Sequence, residues 1–408
     1  MKYLNLIPAL YLYQGKAVDK DTKEIMGDGN PISMAIDFDN NGADELLIFD
    51  MSSNDSEHEA NIRTMIEIAD AVDIPMIVGG NVKRLEDVKK YLYTGAKKAI
   101  LCAGTNLDLL DEVSARFGRE KIALYTNEKI NPAIKEKISL VVSENMKNTD
   151  LNVLYVGKDE SVDFFKTSNA YGASLEKFDA SFDFMKYKAT LKNEGVTVNI
   201  FESAMQFSDF KTNSDGMIPV IVQDYKTDKV LMLAYMNEEA FHKTIQTGKM
   251  TYYSRSRETL WVKGETSGHY QYVKELYMDC DSDTMLAKVR QVGVPCHTGA
   301  DTCFFKELVK KEYDNTNPMN VFEDVYDVIL DRKEHPKEGS YTNYLFDKGI
   351  DKILKKVGEE ATEIVIAAKN PDPQEIKYEI SDFLYHVMVL MAEKGVSWKD
   401  ITKELSRR

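Results

Sequence analysis

The chain is short of basic charge. Its 408 residues carry 52 Lys and Arg against 67 Asp and Glu, a formal charge of −15. A nucleic-acid surface needs a basic footprint for the phosphate backbone, so the balance argues against that partner. Any phosphate must be held by local groups or metals. Long apolar runs are also missing: no segment is expected to span a membrane, and "MKYLNLIPALYLYQGK" lacks the apolar stretch of a signal peptide. Cysteine is scarce, four in the whole chain, which is no disulfide framework; a reducing cytoplasm is the expected localisation. Low-complexity tracts and short-period repeats are absent. What is present is globular composition, 43% hydrophobic and 29% charged, in a length that calls for two or three domains.

Residues 1–203 alternate apolar runs ("LNLIPALYL", "ELLIFDM", "IPMIVGG", "KAILCAG", "KIALYT") with helical stretches such as "EANIRTMIEIADAV". That rhythm belongs to a parallel sheet with crossover helices. Weaker strands are expected at "ISLVV", "LNVLYVG" and "VTVNIF". Eight strands would close a shortened (β/α)8-like barrel, since about 200 residues is at the low end for one. Residues 204–216 turn polar and aperiodic and read as a linker. Residues 217–310 open on a β-hairpin around "KTDK" and continue through "MTYYSRS", "LWVKGE" and "YQYVKELYMDCD" as an α+β domain. Residues 320–408 carry apolar positions at three- and four-residue steps, an all-α bundle.

Three of the four cysteines fall in "MDCDSDTMLAKVRQVGVPCHTGADTC": Cys280, Cys296 and Cys303. Asp279, Asp281 and Asp283 crowd the first, and His297 follows the second. Thiolates suit zinc, whereas carboxylates suit magnesium or calcium. The cysteines stand 16 and 7 residues apart, not as a paired knuckle, and three thiols with an open position is how catalytic zinc is held. His297 could complete the shell or act as a general base. The aspartates would point the same way if their segment is extended. A closed Cys3His structural zinc and metal-free thiols are the alternatives. Upstream, Arg255, Arg257 and Lys263, with Ser254, Ser256, Thr266 and Ser267, suit a phosphate; a solvated charged hairpin is the other reading.

In the helical segment, "KVGEEATE" and "YEISD" place Glu359, Glu360 and Glu363 on one helix and Glu379 and Asp382 on the next. Facing helices could converge these carboxylates, which repel one another unless a divalent cation joins them. Solvated acidic faces are the bland alternative, against which the neighbouring positions are apolar.

Residues 217–306, through "SRSRETLWVKGETSG", "DCDSD", "VRQVGVPCHTG" and "TCFF", resemble phosphoribosyl-AMP cyclohydrolase of histidine biosynthesis. The resemblance implies zinc on Cys280, Cys296 and Cys303, assembled across a homodimer interface, and magnesium on Asp279, Asp281 and Asp283. It also implies that His297 activates or orients the zinc-bound water for hydrolytic opening of the adenine ring. His269 departs from the family's usual asparagine after "TSG". Residues 320–408, through "DRKE", "EGSYTNYLFDKGIDKILKKVGEEATEIVIAAKN" and "EISDFLYHVMVL", resemble phosphoribosyl-ATP pyrophosphohydrolase. That implies magnesium on Glu359, Glu360, Glu363, Glu379 and Asp382, with Glu360 among the catalytic groups. Arg332, Lys333, Lys352, Lys356, Ser340, Tyr341 and Thr342 are candidate phosphate contacts.

The N-terminal segment is similar to the barrel enzymes of the same pathway, the cyclase subunit of imidazole glycerol phosphate synthase and the isomerase one step earlier. The similarity rests on "IPALYLYQGK", "GADELLIFDMS", "IPMIVGGNVKRLEDVKKYLYTGA" and the terminal "LKNEGVTVNIF". Their two catalytic aspartates fall on Tyr11 and near Asn127 here, and only "VGGN" survives of the phosphate grips. The expectation is a bifunctional hydrolase with a degenerate barrel attached. A metal- and nucleotide-binding regulator and a general nucleotide pyrophosphatase are the rivals.

Overall fold

Proline has no N–H to give a ladder, and the first strand breaks at Pro8. The pieces are β1 (Asn5–Leu6) and β2 (Ala9–Tyr13). After them come β3 (Lys16–Val18), α1 (Pro31–Asn40), β4 (Leu46–Asp50), α2 (Asp55–Ala71), β5 (Met76–Gly80), α3 (Leu85–Tyr93), β6 (Lys98–Cys102) and α4 (Leu107–Phe117). Then follow β7 (Ile122–Tyr125), α5 (Pro132–Lys135), β8 (Leu140–Ser143), β9 (Asn152–Gly157), α6 (Val162–Thr167), β10 (Ala170–Leu175) and α7 (Phe184–Asn193). β1 pairs with β10 and β2 with β4, both parallel. The bonds Ile7 N–H to Ala173 O and Leu47 N–H to Pro8 O, 2.9 Å each, stitch across the break. The broken strand therefore closes the parallel sheet into a barrel.

Side chains alternate across each strand. Ile7, Leu47, Ile77, Ile100, Ala123, Leu140 and Leu154 fill the interior, while flanking positions such as Leu46, Ile48, Met76 and Val78 pack outward with the helices. The shortening lies in the second half: α5 has 4 residues, α6 has 6, and no helix joins β8 to β9 among the described residues. One expected strand is corrected. "VTVNIF" makes only the bridge Leu4↔Val198, and the eighth barrel strand is β10, "AYGASL". Val196 and Val198 are buried, so their alternation reports burial rather than a ladder.

The structure is a computed structural model describing residues 3–102, 104, 107–145, 150–158, 161–167, 170–312, 314, 317, 318, 320–371 and 373–406. The chain divides into two units, Met1–Glu307 and Leu308–Arg408. Within the first, a second core begins at Phe207. Phe207 and Phe210 are buried against Phe241, so the polar stretch 204–216 is no loose tether. This domain holds β11 (Ile218–Asp224), β12 (Val230–Met236), α8 (Glu238–Thr247), β13 (Thr251–Ser254), β14 (Thr259–Val262), β15 (Gln271–Met278) and β16 (Met285–Gln291). Its sheet runs β12-β11-β16-β15, with β13 and β14 as a separate hairpin.

The second unit is helical: α9 (Val321–Glu334), α10 (Tyr341–Lys348), α11 (Ile350–Ala367), α12 (Pro373–Lys394) and α13 (Trp398–Leu405). Ile329, Leu345, Ile353, Met388 and Val389 form its core. Gly349, at φ 77, makes the bend between α10 and α11, a conformation that favours glycine. Among the described residues, no helix is long and apolar enough to cross a membrane.

Candidate metal and substrate sites

The β15–β16 connection answers what the aspartates do. Asp279 to Thr284 form a turn, not an extended strand, with Ser282 at φ 66. The expectation of alternating positions on a strand is therefore corrected. The turn itself folds the three side chains together, so carboxylate oxygens of Asp279, Asp281 and Asp283 lie within 4.8 Å of one another, exposed to solvent. Asp279 accepts from the N–H of Asp283 at 3.0 Å and of Thr284 at 3.2 Å. Burial pushes its carboxyl up, but these N–H groups outweigh it and hold the group below its ordinary value.

The thiols divide two and one. Cys296 is buried and neighbours Cys303; its Sγ lies 3.0 Å from Thr298 Oγ1. The Thr298 hydroxyl lowers the Cys296 thiol, while burial and Cys296 raise Cys303. The N–H of Cys303 donates to Leu231 O at 2.7 Å, anchoring it to β12. Cys280 sits on the aspartate turn, and no set of atoms within 4.8 Å unites all three sulfurs among the described residues. His297 is exposed beside Cys296.

The phosphate-type residues are not one cluster. Arg255 lies over the Tyr235 ring at 4.0 Å, Arg257 Nε donates to Ser254 Oγ at 3.3 Å, and Thr266 and Ser267 are exposed on the turn after β14. Lys263 is buried, and its ammonium donates to Pro295 O at 2.8 Å, directly behind Cys296. Gly264, at φ 95, lets this turn close: a Cβ there would sit 2.4 Å from Tyr270 N.

In the bundle, α11 and α12 bring oxygens of Glu360, Glu379 and Asp382 within 4.8 Å, with Glu360 buried. Lys356 reaches both Glu359 at 3.1 Å and Glu360 at 3.4 Å, and Lys355 holds Glu359 at 3.2 Å. Glu359 and exposed Glu363 are outside the convergent trio. His386, which the carboxylate pattern did not single out, completes the wall. Its Nδ1 donates to Asp382 O at 2.8 Å and lies 3.7 Å from Glu360, while Nε2 meets Tyr341 OH at 3.1 Å. A signal existed: residue 386 follows Asp382 by one helical turn. Thr342 Oγ1 meets Tyr385 OH at 2.7 Å, and Ser340 caps α10. Lys352 lies over Tyr344. Arg332 pairs with Asp331, and Lys333 bonds Ala392 O and Glu393.

At the barrel mouth, Tyr11 stacks on Phe49 with centroids 5.3 Å apart, and Tyr125 meets Phe49 edge-on. Glu144, which was not anticipated, accepts from Tyr125 OH at 3.0 Å and from Asn127 at 3.2 Å. Of the two positions where the resemblance expects an acid, Tyr11 thus carries a stacked ring and Asn127 an amide bonded to Glu144.

Three family models match the chain: Histidine biosynthesis protein over residues 5–159, Phosphoribosyl-AMP cyclohydrolase over 232–305, and Phosphoribosyl-ATP pyrophosphohydrolase over 322–408. A histidine biosynthesis bifunctional protein HisIE from Thermoanaerobacter pseudethanolicus is 52% identical over 209 residues, 48% of this chain and 97% of the relative. Its counterpart from Bacillus subtilis is 47% identical over 203 residues, 50% of this chain and 96% of the relative.

Proposed function

Because the chain belongs to the HisIE family of bifunctional histidine-biosynthesis proteins, and is a hydrolase with cyclohydrolase and pyrophosphohydrolase activities, we propose that it runs two consecutive steps on one nucleotide. The helical domain hydrolyses phosphoribosyl-ATP: water attacks the α-phosphorus, the α–β anhydride breaks, and pyrophosphate leaves. The middle domain then adds water at C6 of the adenine ring of phosphoribosyl-AMP, and the N1–C6 bond breaks to give ProFAR.

The observation that carries this reading is the presence of two separate ligand sets, one in each matched span: Asp279, Asp281 and Asp283 on the turn that also carries Cys280, and Glu360, Glu379 and Asp382 in the bundle. Converging carboxylates repel unless a cation neutralises them, so both trios fit magnesium by donor type. Magnesium would offset charge on the phosphates. In the bundle, Glu360, buried beside His386, accepts a proton from the attacking water, with Glu359 and Glu363 supporting the metal shell. Lys356 and Tyr341, which adjoin Glu360 and His386, take the phosphates, with Lys352, Arg332, Lys333, Ser340 and Thr342 as the further contacts of the reading.

In the middle domain, sulfur donors fit zinc, which when bound supplies Lewis acidity for hydrolysis near neutral pH. Cys296 and Cys303 form one half of the set, and Cys280 comes from a second copy of the chain, which makes the functional species a homodimer. His297 orients the water and moves its proton toward N1. Arg255, Arg257, Thr266 and Ser267 hold the substrate phosphates, while Lys263 braces the cysteine loop. The barrel does no chemistry: Tyr11 and Asn127 cannot shuttle protons as carboxylates do.

The test is incubation with phosphoribosyl-ATP. The unaltered chain releases pyrophosphate and forms the ring-opened product, Cys296→Ala accumulates phosphoribosyl-AMP, and Glu360→Gln opens supplied phosphoribosyl-AMP while its pyrophosphate release falls steeply. Loss of both activities in either folded variant would sink the division of labour.

A further inference from the structure

Resting on that reading of the ring-opening site, we propose that the barrel acts as its brace: Asp39 and Asp73 are positioning residues that clamp Arg290 and so set the segment carrying Cys296 and His297. Both acids lie on the barrel face opposite the mouth, Asp39 at the end of α1 and Asp73 between α2 and β5. Arg290 Nη1 lies 2.9 Å from Asp39 Oδ2, its Nη2 bonds Asn40, and its Nε is 3.8 Å from Asp73 Oδ2. Asp39 Oδ2 also accepts from the Asp73 N–H at 3.0 Å, tying the two barrel loops to each other. Two further cations converge on Asp73, Lys226 at 2.8 Å from the β11–β12 turn and Lys274 at 3.2 Å from β15. The Tyr272 ring backs the guanidinium at 5.2 Å.

Solvent is largely excluded from this joint: the side chains of Arg290 and Asp73 are each 16% exposed, and that of Asp39 is 5% exposed. Buried ion pairs add little stability over apolar contacts, because desolvation offsets attraction. What this arrangement supplies is fixed geometry: Asp39 and Asn40 hold the guanidinium by directional hydrogen bonds, and Asp73, too far from Nε for one, adds its charge and ties in Lys226 and Lys274. Arg290 is the penultimate residue of β16. Directly beyond it, the Val292 N–H donates to Tyr270 O at 2.9 Å, and Pro295 O accepts from Lys263. The path from the barrel acids to Cys296 is thus a short run of backbone held at successive points. Strand ends position loop residues far better than free loops do, and a misplacement of about 1 Å at a reacting centre costs on the order of a hundredfold in rate.

The experiment uses the full chain with Asp39→Ala and Asp73→Ala combined, and Asp73→Asn alone as the milder, near-isosteric change. Ring opening of supplied phosphoribosyl-AMP, pyrophosphate release and zinc per chain are measured together. The brace requires that kcat for ring opening fall about tenfold or more in the double variant, with KM shifted less than about threefold, zinc retained and pyrophosphate release intact; Asp73→Asn shows the same pattern more weakly. Unchanged kcat overturns it. So does a fall in ring opening that merely tracks lost zinc in both variants, because that is loss of folded protein. Absence of ring opening in the unaltered chain would remove the underlying reading instead, and is told apart by that control.

Discussion

Asp279, Asp281 and Asp283 meet on a solvent-exposed turn, whereas Glu360, Glu379 and Asp382 meet across two long helices with Glu360 buried. In the first trio, backbone N–H groups of the turn do the gathering, as in the bonds from Asp283 and Thr284 to Asp279. In the second, helix periodicity places each carboxylate, and Lys356 and His386 surround the buried one. A turn-built trio in water is free to rearrange around any cation it takes up. In the helix-built trio the backbone positions are set by two packed helices and Glu360 is buried, although Glu379 is half-buried and Asp382 exposed, so it is Glu360 that has little freedom to compensate. The two halves of the enzyme should therefore respond differently to loss of metal or of one ligand.

Metal removal should separate them most. Stripping with a strong chelator is expected to abolish both activities; magnesium alone should then restore pyrophosphate release, while ring opening should return only when zinc is added as well. Recovery of ring opening with magnesium alone would break the thiolate assignment. Mixing folded but inactive Cys280→Ala and Cys296→Ala chains sharpens the same point. If Cys280 serves the neighbouring copy, a mixed dimer regains one intact site, and assays after subunit exchange should show partial ring opening; a permanently inactive mixture argues for a set contained in one chain.

Single-ligand changes come next. Glu360→Gln should lower pyrophosphate release by about a thousandfold, several kcal/mol of lost charge stabilisation at a buried position. Asp281→Asn should cost only about tenfold in ring opening, recoverable by raising magnesium, since its exposed trio keeps two carboxylates and water. Equal losses in the two steady-state assays would erase the contrast between turn and helix.

The same contrast governs what the sequence makes legible. Glu379 and Asp382 were readable because three-residue spacing puts both on one helix face, whereas on the facing helix the spacing favoured Glu359 and Glu363, and it is Glu360 beside them that joins the trio. The aspartate cluster was readable as a composition but not as a shape, since the left-handed Ser282 that curls the turn has no distinctive residue type to announce it. The barrel was legible through its early strands. Its last strand, "AYGASL", hid among small residues, while the β-branched "VTVNIF" imitated a strand. Arg290 gave no signal whatever, because its partners Asp39 and Asp73 are more than two hundred residues away and nothing local demands them.

The smallest expected effect is the pH response of that long-range joint. Burial alone would raise the Asp73 carboxyl, but hydrogen bonds from Lys226 and Tyr225 and the charge of Lys274 outweigh it and hold the group well below its ordinary value of 3.8. Asp39 and Arg290 face it as well, and the Tyr225 hydroxyl, pushed up to about 12 mainly by burial, stays protonated throughout the acid range. A carboxyl depressed in the folded state contributes stability that is fully present above the unfolded pKa and is lost as pH falls toward the folded one. The wild-type advantage over Asp73→Asn should therefore be flat above about pH 5 and shrink below about pH 4, where the unfolded chain takes up the proton first. In thermal unfolding of the first unit the difference should amount to a few degrees at neutral pH. An advantage that instead grew on acidification would mean that the Asp73 carboxylate is unfavourable in the joint, and that the cations around it do not outweigh its burial.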